Sequence, residues 1–94
     1  MRQVTKEIKQ AFEQGKPLKK GNTRTDGTSV FLHGNEIIKR DPSGLVLATL
    51  AGWNTPTTRE RVNGITGLGI HQVNFVPMLN GCEIDSSDWI VVQG

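Results

Sequence analysis

The amino-acid sequence predicts an α+β fold, in which an antiparallel sheet of about five strands packs with an N-terminal helix and one short central helix. Three observations predict it. Apolar residues recur at helical spacing near the start of the chain, and two turn signals separate three β-prone runs over residues 30–51. Further along, Asn80-Gly81 lies between two more β-prone runs. The 94 residues predict one domain, 1–94.

The first helix is predicted over residues 3–14, because its apolar residues share one helical face: Val4, Ile8, Ala11 and Phe12. Gly15 can close this helix, and Pro17 prevents its continuation. Residues 15–28 are rich in Gly, Asn, Asp and Thr, which predicts a loop or an irregular strand. A tight hairpin around residues 23–25 is an open alternative there.

A three-stranded antiparallel meander is predicted next. Val30–His33 and Glu36–Arg40 flank the turn residues Gly34-Asn35, and Asp41–Gly44 has the residue order of a type I turn. The third strand, Leu45–Ala51, is almost continuously apolar, which is typical of a central strand buried on both faces.

The short central helix has two equally good start signals. Thr57 with Glu60 matches a capping box, and Thr55 followed by Pro56 matches an N-cap with proline at the first helical position. Gly64 suits its end, which leaves about two turns.

So short a helix needs packing to be stable. Val62 and Ile65 are the expected anchors, and Trp53 is expected to seal the core beside them. Arg59 and Arg61 are expected to face solvent.

A C-terminal hairpin is predicted around Asn80-Gly81, after a flexible glycine-rich connection over residues 64–69. Pro77 favours an edge position or a bulge, since proline donates no backbone hydrogen bond. Residues Trp89–Val92 form the last predicted strand. An unprotected edge strand leaves open a homodimer formed through it.

The charge of the chain is uneven. Seven of the 11 basic residues and only two acidic residues lie among the first 24 positions, so this segment carries +5 while the whole chain carries +2. A basic segment can bind nucleic acid or an acidic partner, and it can also pair with the acidic side of its own domain.

Nothing in the sequence has a catalytic or cofactor-binding pattern, so we expect no enzyme and no cofactor. His33, His71 and Cys82 have no metal-ligand spacing, and Cys82 beside Glu83 is expected to be a small packing residue. The single cysteine excludes an internal disulfide and fits a reducing cytoplasm. No apolar run reaches the roughly 20 residues of a membrane span.

Candidate partner-binding residues fall into two groups. An aromatic side chain beside arginines near a helix start is typical of a recognition surface, and a basic glycine-containing loop can bind anions. The first group comprises Trp53, Asn54, Arg59 and Arg61, with His33 and Asn35 as open additions, and the second comprises Lys19, Lys20 and Arg24.

Three segments, Leu32–Asn35, Gly52–Asn63 and Trp89–Val92, together resemble a family of small proteins of unknown function encoded by tailed bacteriophages. The resemblance runs from Gly21 onward and leaves the basic N-terminal helix outside it. It implies a phage-encoded protein in the host cytoplasm that binds a host or phage protein without catalysis. Nucleic-acid binding through the basic N-terminal segment is the alternative.

Overall fold

The protein is described here by a computed structural model that covers residues 2–92. Its two helices are α1 (Gln3–Glu13) and α2 (Pro56–Thr66). A six-stranded antiparallel sheet has the order β1-β2-β3-β4-β5-β9, and a three-stranded antiparallel sheet has the order β6-β7-β8. The strands are β1 (Leu18–Lys20), β2 (Thr23–Thr25), β3 (Ser29–Leu32), β4 (Asn35–Arg40), β5 (Val46–Ala48), β6 (His71–Val73), β7 (Val76–Leu79), β8 (Cys82–Glu83) and β9 (Ile90–Val92).

The α+β class and the β3-β4-β5 meander are confirmed, but the sheet has more strands than predicted. Residues 18–25 add a hairpin, β1-β2, in which Thr23–Thr25 is the second strand, so of the two predicted possibilities the hairpin is the one that forms. The threonines are buried while Arg24 between them is exposed, so the alternation of β2 is carried by polar residues. A prediction that relies on apolar residues misses such a strand.

The turn between β3 and β4 is displaced by one residue from the prediction. His33 and Gly34 have φ of +51° and +80°, so they form the turn and Asn35 begins β4. A bulge in this pairing then places two consecutive isoleucines, Ile37 and Ile38, in the core. Thr49 donates its backbone N–H to the Ile37 carbonyl at 2.8 Å, which secures the bulged segment.

The C-terminal part of the chain divides between two sheets. The Asn80-Gly81 turn joins β7 and β8 as predicted, with φ of +53° and +79°. These strands lie in the separate small sheet, where β7 is central, so the edge position expected for Pro77 is wrong. Strand β9 instead pairs with β5 and forms one edge of the six-stranded sheet.

Helix α1 agrees with its prediction, whereas α2 is longer than expected. Thr55 is the N-cap, and its Oγ1 accepts the backbone N–H of Thr58 at 3.2 Å. The helix continues through Gly64, and Gly67 ends it at φ +80°. The last turn is held from outside, because the Asn63 side chain bonds both the N–H and the C=O of Ile70. The predicted flexible connection is therefore helical in its first part and fastened at its end.

The core lies between the two helices and the inner face of the six-stranded sheet. Helix α1 packs on β1, β2 and β3, and α2 packs on α1 and β4. As predicted, Val62 and Ile65 of α2 are buried, and Ile70 beyond the helix joins them. The buried apolar cluster comprises Ile8, Phe12, Val30, Leu32, Ile37, Ile38, Ala48, Leu50, Val62, Ile65 and Ile70.

Arg61 is buried inside this structure, with only 4% of its surface exposed, so the expectation that it faces solvent is wrong. Its Nε donates to Thr23 Oγ1 at 3.0 Å, and its Nη1 donates to Thr5 Oγ1 at 3.2 Å and to Glu60 Oε1. Thr5 Oγ1 in turn donates to Glu60 Oε1 at 2.6 Å. One guanidinium thereby connects α1, β2 and α2. Glu60 is used here and not in the capping box.

This network predicts that stability falls in acid. Burial raises the pKa of Glu60, but the hydrogen bonds from Thr5 and Arg61 and the Arg61 charge outweigh it, so the pKa lies below the ordinary 4.5. The unfolded chain then binds more protons than the folded one as the pH drops. The stabilisation is present above pH 4.5 and is lost as the pH falls through the folded pKa.

Urea unfolding at several pH values between 7 and 3 measures this loss in wild type and in Glu60→Gln. The pKa values of Asp26 and Asp41 are also lowered, mainly by a backbone hydrogen bond from Ser29 and by the Ser43 hydroxyl respectively. Both variants share those groups, so the difference between their pH slopes isolates Glu60. Equal slopes would contradict the prediction.

Candidate functional site

The loop between β5 and α2 turns Trp53 outward. Ala51 and Gly52 have φ of +54° and +82°, and the Trp53 N–H bonds the Leu50 carbonyl at 2.9 Å, which closes a tight turn. Leu50 before the turn is buried, whereas Trp53 after it is 58% exposed. The expectation that Trp53 seals the core is therefore wrong, because the chain reverses between these two residues.

A cleft of about 370 Å³ lies beside Trp53. Buried Leu32, Ile37 and Leu50 contribute its apolar walls, and the first turn of α2 contributes threonines. The residues that line it are Leu32, His33, Asn35, Ile37, Leu50, Trp53, Thr55, Thr57 and Thr58. Apolar walls with a few polar groups at the rim are typical of a site that receives an apolar side chain or small ligand.

A polar network fastens the small sheet to the same loop. Asn54 Nδ2 donates to Gln72 Oε1 at 3.1 Å and to the Phe75 carbonyl at 3.3 Å. Arg59 donates to Asn54 Oδ1 and to Gln72 Oε1. The β6-β7 hairpin is thus held next to the start of α2. We call the residues Trp53, Asn54, Arg59, Gln72 and Phe75 the tryptophan surface.

Phe75 is the most exposed large apolar residue of the described chain, at 88%. It occupies the two-residue turn of the β6-β7 hairpin with Asn74, and their φ values are +66° and +49°. Glycine is the usual residue at the second turn position, because a Cβ there is strained. A bulky aromatic residue in this conformation contributes nothing to the core and costs backbone energy, which points to a role at the surface.

The structure separates the seven candidate residues of the sequence. Trp53, Asn54 and Arg59 come together, while Arg61 is buried in the network described above. Lys19 and Arg24 are exposed as partners across β1 and β2. Lys20 faces α1, where its Nζ lies 3.8 Å from Glu7 Oε2.

Phe75 and the apolar walls of the cleft are absent from the sequence prediction, although Trp53, His33 and Asn35, which also line the cleft, are among its candidates. Asn74-Phe75 lies between two β-prone segments, and this spacing is the signal that would have marked an apolar turn residue. The cleft has no such signal, because its walls come from distant segments that only the fold brings together.

The histidine and cysteine side chains do not form a cluster among the described residues. His33 is exposed, as expected for a residue in a hairpin turn, and it lines the cleft. Cys82 is exposed in β8, so its expected packing role is wrong. Within residues 2–92, no three His, Cys, Asp or Glu side chains are grouped so as to hold a metal ion. Neither described helix is long and apolar enough to cross a membrane.

The fold and this surface define a small α+β protein built on an antiparallel sheet. The model of the Kyanoviridae Gp96 protein family matches residues 1–93, so the chain belongs to this phage family. The resemblance to phage proteins is thereby confirmed, and the match extends to the N-terminal helix that the resemblance left out. No curated protein and no solved structure matches the chain.

Proposed function

We propose that this phage protein is a non-enzymatic binding module that acts in the host cytoplasm and docks a host or phage protein on the tryptophan surface. The observation that carries the proposal is the exposure of Trp53 beside a cleft with apolar walls. A second exposed aromatic residue, Phe75, is held near by through the bond from Asn54 to its carbonyl. Exposed aromatic residues of this kind are typical anchors of protein interfaces.

The partner expected here offers one apolar side chain to the cleft. It also carries hydrogen-bond acceptors near Arg59, whose guanidinium lies on the same surface beside Asn54. The polar network among Asn54, Arg59 and Gln72 holds the loop and the hairpin in place before binding. Such pre-organisation lowers the entropy cost of association, so a small surface can bind usefully.

Capture from lysates of infected host cells tests the proposal. Immobilised wild type is compared with Trp53→Ala and with Trp89→Ala, a matched loss of the second tryptophan, which lies outside the tryptophan surface. We expect a specific partner whose affinity falls by roughly 30-fold or more in Trp53→Ala, as for a hot-spot residue of about 2 kcal/mol. Absence of any partner, or an equal loss in both variants, would contradict the proposal.

Phe75 provides an independent prediction, because binding and stability are expected to change in opposite directions. Phe75→Gly removes the strain of the positive φ and raises the free energy of unfolding by about 0.5–1 kcal/mol, measured in urea. The same variant is expected to lose the partner.

Phe75→Ala is the matched control, since it removes the ring but keeps a Cβ at φ +66°. It is expected to lose the partner without the gain in stability. A Phe75→Gly protein that is less stable than wild type, or that retains full affinity, would show that the ring serves the fold and not a partner.

A further inference from the structure

Within residues 2–92, no helix packs on one of the two faces of the six-stranded sheet. Both helices pack on the inner face, where Val30, Ile38 and Ala48 are buried. Side chains alternate along a strand, so the neighbours of these residues point to the opposite side, except Ile37 at the bulge. We call that side the outer face. Among the described residues it carries Lys19, Arg24, Phe31, Glu36, Lys39, Leu47 and Val91, with Trp89 beside them.

Strand pairing places the outer residues in two rows. Lys19 pairs with Arg24, and Arg24 pairs with Phe31, which makes one row across β1, β2 and β3. In the second row, Lys39 pairs with Leu47 and Leu47 pairs with Val91. Neighbouring strands lie about 4.8 Å apart, so β2 to β9 spans roughly 20 Å.

Each row combines a cation with an aromatic ring. Arg24 Cζ lies 4.0 Å from the centre of the Phe31 ring, and Lys39 Nζ lies 4.0 Å from that of Trp89. Trp89 precedes β9, yet its ring contacts Lys39 of β4, so it lies across the outer face of β5. It remains 38% exposed. Phe31 is half-buried, and at the surface each of the two rings has a cation over its face.

The charge of the outer face is positive and unpaired. Within residues 2–92 the ion pairs are Lys20–Glu7 and Arg61–Glu60, and neither involves a cation of this face. Glu36, the partner of Phe31, is the carboxylate of these rows, and Ser29 donates to its Oε2 at 2.6 Å. Lys19 and Arg24 also border a depression of about 210 Å³ between two hairpin turns. An anionic ligand complements this arrangement.

We propose that the outer face binds single-stranded nucleic acid. Bases stack on Phe31 and Trp89 and displace the cations that lie over these rings. The displaced Arg24 and Lys39 then pair with phosphates, as does Lys19. Stacking needs bases whose faces are free, which a single strand offers and a duplex does not. This site is separate from the tryptophan surface, so it stands or falls independently of the protein-binding proposal.

Fluorescence anisotropy with a labelled 20-nucleotide strand tests the proposal, in DNA and RNA versions and with the matching duplex. We expect the single strand of at least one type to bind more tightly than its duplex. With three phosphate contacts, the affinity should fall by roughly 20-fold between 50 and 200 mM salt. Phe31→Leu keeps an apolar side chain but removes the ring, and it should weaken binding by about 5- to 150-fold.

Two matched variants distinguish binding by the outer face from binding by any positive charge on the protein. Lys39→Ala should reduce the salt slope by about 0.7, whereas Lys6→Ala, an equal loss of charge on the exposed side of α1, should leave it unchanged. In a Trp53→Phe background Trp89 is the sole tryptophan. Its fluorescence should be quenched by the single strand, which tests stacking without altering the outer face.

Three results would overturn the proposal. The first is no binding of any single strand at 50 mM salt. The second is duplex binding as tight as single-strand binding. The third is binding that Phe31→Leu leaves unchanged while inorganic polyphosphate competes fully, because that would be the behaviour of a charged surface without base stacking.

Discussion

Replacement of Arg61 by alanine is expected to lower the free energy of unfolding by about 3–5 kcal/mol. The change removes the guanidinium that donates hydrogen bonds to Thr5 Oγ1, Thr23 Oγ1 and Glu60 Oε1. The Thr5 and Thr23 hydroxyls stay buried but lose this donor. Domains of this kind are stable by only about 5–15 kcal/mol, so the loss is a large share of the total. Urea unfolding at pH 7 measures it.

Arg59→Ala is the matched control, two positions away on the same helix. Arg59 is half-buried and bonds half-buried Asn54 and exposed Gln72, so its removal should cost less than about 1 kcal/mol. Arg61→Lys should lie between wild type and Arg61→Ala, since an ammonium keeps the charge but cannot donate from a planar fork. Equal losses in Arg59→Ala and Arg61→Ala would contradict a special role for the buried guanidinium.

Gly27→Ala is the second substitution for which we expect a large effect. Gly27 lies in the turn between β2 and β3 at φ +95°, and a Cβ there would lie 2.5 Å from the carbonyl oxygen of Gly15. The backbone fixes the position of the Cβ, and the oxygen is itself a backbone atom, so the turn or the segment that follows α1 has to move. The strained φ and the overlap together should cost about 2–5 kcal/mol.

Gly44→Ala separates the two contributions. Gly44 has a similar φ of +91° but open space around its Cβ position, so it should lose only the conformational part, about 1–2 kcal/mol. Unfolding free energies of the two variants in urea give the comparison. If Gly44→Ala were as destabilising as Gly27→Ala, the close approach of the Gly15 carbonyl would contribute nothing.

The parts of the fold that sequence predicted are those in which local chemistry and the final structure agree. The stripe of Ile8, Ala11 and Phe12 predicted α1, and the turn residues around β4 and β5 predicted the meander. These signals depend on interactions within a few residues, so they favour the same local structure whatever the rest of the fold is. The Thr55-Pro56 start of α2 belongs to the same group.

The missed parts depend on contacts between distant segments. Gly64 has the chemistry of a helix end, yet packing of Ile65 and the Asn63–Ile70 bonds carry α2 beyond it. Strand β9 pairs with β5 and not with its neighbours in the chain, which no local pattern encodes. The bulge that buries Ile37 beside Ile38 likewise appears only in the pairing.

The candidate site was predicted only in part, for the same reason. Trp53, Asn54 and Arg59 are close in sequence and meet as expected. Arg61 has the composition of a surface residue, and its burial follows from buried threonines on two other elements. Phe75 joins this surface because the Asn54 side chain bonds its carbonyl, and the two residues lie about 20 positions apart in the chain.

Because one guanidinium joins α1, β2 and α2, the contribution of each of its partners to the free energy of unfolding depends on the other partners. Thr5, Thr23 and Glu60 each gain their hydrogen bond on condition that the others hold the arginine in position. Substitutions at these sites are therefore coupled, and their individual costs do not add. The first loss carries most of the penalty, and later ones are inexpensive, so the four residues behave thermodynamically as one cooperative unit.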